Sequence, residues 1–280
     1  MTHMLVLMAL FCLSCATAHP PVYTPAIAER QVPSNTYLRG FQQASDLFPR
    51  TLIQDRCSDK QKETLRTAWK GAKKLAEAQT STVTGYDYDA VHRAWFGDDW
   101  NVKGDPEVER RTQIITDNMA RLTKLFRGEV GDHDNFVFWC EDKYGNCEGE
   151  AWAASFEHTL EHGALYQSTV FCPEFFEEED VLEEDVEMFG GHPDDETRID
   201  HFQDTTAVTM LHEIYHYQFV VSDNPTLDIA EYGAGFDYQL AREKGTEETY
   251  LNANSYAMDA LVIYLQQTFQ SSTPALPPGY

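Results

Sequence analysis

The sequence predicts an α+β fold, because two capped amphipathic helical patterns precede a run of short aromatic and β-branched segments, and three more helical patterns follow it. With 280 residues, 42% of them hydrophobic and 12% aromatic, the chain can bury one sizeable core. One mostly helical domain is therefore expected over residues 55–270, with a small sheet beside its helices.

In chain order, Met4 to Leu13 form an apolar run ahead of Ala16-Thr17-Ala18, the pattern of a signal peptide over residues 1–18 that marks the chain for export. No later stretch is apolar over the roughly 18 residues that a membrane helix needs, so a soluble secreted protein is expected. Residues 19–54 carry scattered Pro and Thr and read as an extended arm or short pro-segment. The first strong helix is predicted from Asp59 to Gln79, with Ser58 as cap and Leu65, Trp69, Ala72 and Ala76 on one face. Asp105-Pro106 starts the second, a cap followed by proline at the first helical position, and turns Val108, Ile115, Met119, Leu122 and Phe126 inward. Asn135–Cys140, Ala151–Phe156 and Ala164–Phe171 read as strands. The acidic run Glu177 to Glu187 reads as a solvated surface. Helix is expected again over Thr205–Val221, Gly233–Glu243 and Glu247–Phe269, and residues 271–280, with three prolines, read as a flexible tail.

A formal net charge of −25 excludes nucleic acid and anionic membrane as partners. Of six cysteines, Cys12 and Cys15 leave with the signal. Cys57, Cys140, Cys147 and Cys172 remain, an even set suited to two disulfides in an oxidising compartment. Spacing alone does not choose among the three possible pairings.

The chemistry concentrates in His212-Glu213-Ile214-Tyr215-His216. Residues four apart share a helix face, so both imidazoles can reach one tetrahedral ion while Glu213 stands beside them as a general base toward a zinc-activated water. A site of this kind needs a third protein ligand, and Asp223, Asp228, Glu231 and Asp237 are the acids shortly downstream. An inverted motif, His158-Thr159-Leu160-Glu161-His162, runs directly into Gly163 between strand-like segments, which argues against a helix that could present it.

This motif order resembles the aspzincin peptidases, the deuterolysin and peptidyl-Lys metalloendopeptidase group of secreted fungal enzymes. There the H-E-x-x-H is followed by G-T-x-D-x-x-Y-G, and the matching stretch here is Pro225-Thr226-Leu227-Asp228-Ile229-Ala230-Glu231-Tyr232-Gly233. The resemblance spans residues 55–268 and implies a zincin-like domain holding one Zn2+ per chain through His212, His216 and Asp228. It further implies Glu213 and Tyr232 as catalytic residues and pairing of Cys57 with Cys140 and Cys147 with Cys172. Pro225 replaces the family glycine and one extra residue separates Asp228 from Tyr232, which leaves Glu231 as an alternative third ligand. Lysine-selective members carry acids where this chain has Asn254 and Ala257, so a dedicated lysine pocket is not expected. The expected function is zinc-dependent metalloendopeptidase of a monomer acting on protein or peptide substrates. The alternative is a secreted zinc-binding antigen or scavenger with a zincin-like domain and little proteolysis.

Overall fold

The computed structural model describes residues 40–44, 51–129, 135–143, 145–147, 151–159, 165–177 and 180–279. The expected signal peptide and most of the expected arm lie outside them. Ser58 sets the start of α1 (Asp59–Gln79): its hydroxyl accepts from the Gln61 N–H while the Gln61 side chain accepts from the Ser58 N–H, a reciprocal cap. Leu65, Ala68, Ala72, Leu75 and Ala76 recur at helical spacing and are completely buried. A nine-residue helix that the sequence pattern does not predict, α2 (Tyr88–Phe96), follows an Asp87 cap and seats Val91, Trp95 and Phe96 in the core. Asp105 caps α3 (Pro106–Phe126) by accepting from the N–H groups of Glu107 and Val108.

Five strands form one mixed sheet in the order β1-β2-β3-β5-β4. They are β1 (Phe41–Gln43), β2 (Thr51–Gln54), β3 (Asn135–Trp139), β4 (Ala153–Thr159) and β5 (Leu165–Phe171). The two outer pairs, β1/β2 and β4/β5, are antiparallel, and the inner pairs β2/β3 and β3/β5 are parallel. Parallel pairing of β2 with β3 needs a long crossover, which α1 to α3 supply. The period of two splits β3 between faces: Phe136 and Phe138 enter the main core, whereas Val137 and Trp139 join Val170 in a smaller cluster. Disulfides fasten the sheet, Cys57–Cys140 joining the entry of α1 to the end of β3 and Cys147–Cys172 holding the loop beside β5.

The acidic run contributes the short helices α4 (Pro173–Glu177) and α5 (Leu182–Phe189), followed by α6 (Pro193–Glu196). The single helix expected over Thr205–Val221 is instead two, α7 (Thr206–Tyr215) and α8 (Gln218–Val221). Tyr217 between them is extended, with ψ of 129°, because its buried hydroxyl reaches across to the Thr169 hydroxyl at 2.6 Å. After α9 (Ala234–Lys244), the helix expected from Glu247 to Phe269 is likewise divided into α10 (Thr246–Thr249) and α11 (Ala253–Phe269). The break falls where Asn252 bridges to Leu227. From Ala253 to Ile263 every residue of α11 is buried, which makes it the central helix, apolar on most of its circumference. Leu276 donates its N–H to Thr197 and Ala275 is buried, so this part of the expected flexible tail lies against the domain surface. Among the described residues no helix is long and apolar enough to cross a membrane.

Helices α1 and α11 enclose α7. A Cβ on Gly71 of α1 would lie 2.6 Å from the Cβ of Ala207, so glycine permits the close approach of α1 and α7. On another side, the Tyr215 hydroxyl donates to Gln79 Oε1 at 2.5 Å, and Gln79 Nε2 donates to the fully buried Asp259 at 2.8 Å. Asp259 also meets His92 Nδ1 at 2.8 Å.

Gly71→Ala is expected to cost about 1–3 kcal/mol by overpacking, read as a lower urea midpoint; an unchanged midpoint would show that the two helices separate freely. Burial pulls the His92 imidazole down, but the charge and hydrogen bond of Asp259 outweigh it and leave the folded pKa raised above the ordinary 6.5. The stabilisation is therefore complete below the unfolded value of about 6.5 and is lost as pH rises through the raised folded value. The melting difference between wild type and His92→Gln should shrink as pH rises through the raised folded value, and a constant difference would contradict this sign.

Candidate metal centre

Helix α7 presents His212 and Glu213, and His216 occupies its C-cap with helical φ and ψ, so the two imidazoles stay one turn apart on one face. His212 Nε2 and His216 Nε2 are 3.2 Å apart. Asp228 Oδ1 lies 3.0 Å from the first and 3.2 Å from the second. Ligands about 2.0 Å from a tetrahedral ion sit roughly 3.3 Å from one another, so the three atoms form one face of such a polyhedron. His212, His216 and Asp228 are the group of close ligand atoms found among the described residues.

The hydrogen bonds behind His216 fix its tautomer. Thr226 Oγ1 donates to the Tyr215 carbonyl at 2.7 Å, so toward His216 Nδ1 this hydroxyl and the Thr226 carbonyl at 3.3 Å both accept. Nδ1 therefore carries the proton and Nε2 offers its lone pair to the ligand cluster. A directional chain holds the next turn of backbone: the Tyr217 hydroxyl donates to Thr169, Thr169 to Ser155 at 2.8 Å, and Ser155 to the Glu213 carbonyl at 3.1 Å. The direction follows because the carbonyl at its end can only accept. Edge strand β4, which supplies Ser155, is thereby tied to the motif.

Glu213 is buried and its Oε2 has no hydrogen-bond partner. It faces a cavity of about 460 Å³ lined also by His212, Asp228, Glu231, Tyr232, Trp152 and Asn254. Among the described residues no Lys or Arg lines it. Burial pushes the Glu213 carboxyl up, and the His212 charge pulls against that. Burial disfavours the charged form of His212, yet the neighbouring Asp228 carboxylate lifts it to about 9. Burial would raise Asp228, but the charge and hydrogen bond of His212 hold it well below the usual carboxylate range.

The remaining expected residues are distributed around this cluster. Glu231 lines the cavity, outside the three-ligand group, and Asp223 is exposed on the turn after α8. Tyr232 lines the cavity and is more than half exposed; its partial burial, then the Asp204 charge, push the phenol up. Asp237 is fully buried on the first turn of α9, where burial pushes its carboxyl up to about 7 against hydrogen bonds from Asn252 and Asn254. His158 belongs to β4, and residues 160–162 of the inverted motif lie outside the described residues. The sequence assigns no role to Ser155, Trp152, Thr226 or Asn252, although Thr226 falls within the stretch that matches G-T-x-D-x-x-Y-G and Asn252 stands beside Asn254.

A family model described as "HRXXH: Putative peptidase family" matches residues 4–272, nearly the whole chain. The chain belongs to this family. No curated protein matches it. Spelled as a motif, the family name puts arginine after the first histidine, where this chain carries Glu213.

A divalent ion requires His212 neutral, whereas the metal-free imidazole is protonated at neutral pH. Uptake of one ion per chain near pH 7 is expected to release about one proton. Calorimetry in two buffers of different ionisation heat reads this directly, and Asp228→Ala should weaken uptake and lower the proton release without abolishing binding by the two histidines.

Proposed function

We propose that the protein is a secreted, zinc-dependent metalloendopeptidase of the aspzincin type, acting on protein or peptide substrates. The observation that carries this reading is the closure of His212 Nε2, His216 Nε2 and Asp228 Oδ1 on one point, with an unpartnered Glu213 Oε2 at the same cavity. The family to which the chain belongs favours peptide-bond chemistry. The paired disulfides suit an extracellular setting.

A zinc ion held by these three side chains supplies Lewis acidity, which acidifies a water and polarises a carbonyl. Glu213 Oε2 takes the proton from the attacking water and delivers it to the leaving amine; having no other partner, it is free for both transfers. Its burial raises its proton affinity, the direction that favours the second step. His216 is held in the ligating tautomer by Thr226. The Tyr232 hydroxyl, kept protonated by its raised pKa, is the available donor to an oxygen on which negative charge develops.

A second reading is a zinc-binding antigen or scavenger with little proteolysis. It draws on the extra residue between Asp228 and Tyr232 and on the 56% exposure of Tyr232, which leave that donor less enclosed than the two imidazoles.

The two readings separate on Glu213→Gln. For an enzyme, peptide cleavage falls by about 10²–10⁴-fold while zinc content matches wild type. Zinc in both proteins and cleavage in neither would establish the scavenger instead.

A further inference from the structure

Asp237 carries a fully buried carboxylate, and no ion pair holds it among the described residues. Two amides hold it instead: Asn252 Nδ2 donates to Oδ1 at 2.7 Å, and Asn254 Nδ2 donates to Oδ2. Both Asp237 oxygens accept in these contacts, so both amides turn nitrogen toward it and oxygen away. Asn252 Oδ1 consequently receives the backbone N–H of Ile229 at 3.0 Å and of Ala230 at 3.4 Å, the two residues after Asp228. On the other side of Asp228, Leu227 bonds Leu251 at 2.6 Å and Ala253 at 3.0 Å. The backbone that carries Asp228 is thus fastened on both flanks to the entry of α11, while the Asp228 side chain itself is half-exposed. The orientation imposed on Asn254 leaves its Oδ1 buried without a partner at the cavity wall, so the bond to Asp237 takes precedence over satisfying that oxygen.

We propose that Asp237 is the positioning residue for the third metal ligand: by fixing the Asn252 amide it holds the Asp228 carboxylate where the three ligand atoms close on one ion. This rests on the metal reading above. A buried carboxylate without a bonded cation is unfavourable, and a neutral side chain would serve packing alone.

Asp237→Asn keeps the shape but sets one amide N–H against another. Zinc affinity by chelator competition is expected to fall about 10–100-fold, with a changed visible spectrum in the cobalt-substituted protein. The Ile229 and Ala230 amides of the metal-free variant should lose hydrogen-exchange protection while circular dichroism is retained. Because the effect runs through Asp228, adding Asp237→Asn to Asp228→Ala should weaken residual zinc binding by less than about twofold. Should Asp237→Asn not fold, Asn252→Ser takes its place in the same cycle. Equal penalties in both backgrounds, or unchanged affinity and protection, overturn the proposal. Wild-type protein that takes up no zinc overturns the metal reading and this proposal together, whereas normal wild-type uptake beside an unaffected variant overturns the proposal alone.

Discussion

Two imidazole nitrogens and a carboxylate oxygen within 3.2 Å of one another are held against their own preferences. Lone pairs repel at that separation unless a proton or a cation sits among them, and burial removes the water that would soften the repulsion. The metal-free arrangement borrows a proton on His212, which is why the His212 and Asp228 pKa values move apart. The remainder of the fold can be understood as the apparatus that keeps those three atoms together.

That apparatus works from several directions, because a ten-residue helix has little stability of its own. Tyr215 anchors α7 to Gln79 on α1, the Ser155 hydroxyl reaches the Glu213 carbonyl from the sheet, and Thr226 links the Tyr215 carbonyl to the His216 ring. Asp228 arrives on a separate loop whose fastening is to α11. Side chains of the motif's variable positions are therefore not passive: Tyr215 and the following Tyr217 face inward and carry hydrogen bonds that orient their ligating neighbours.

The sequence made legible what depends on local chemistry. Ser58 and Asp105 announced their helices because capping needs only the chain within three residues of it, and β3 to β5 followed from short runs of aromatic and β-branched side chains. The histidine pair and the neighbouring glutamate were equally local. What escaped was decided by contacts distant in sequence. Nothing near Tyr217 marks the end of α7; the break comes from Thr169, 48 residues earlier. The division between α10 and α11 depends on the bridge from Asn252 to Leu227. Asp237 was visible as an acid near the motif, but its attachment to two asparagines requires α9 to fold back on α11.

The contact between Gly71 and Ala207 has a consequence for how this protein can change over time. Each partner already carries close to the smallest side chain available, so a gain of volume on one helix has no matching loss on the other. Only Ala207 could shrink, to glycine, at the expense of the helix that bears the motif. Substitutions elsewhere in the core can be offset in compensating pairs, whereas this crossing point admits almost none, and the spacing of α7 from α1 is fixed by lack of alternatives.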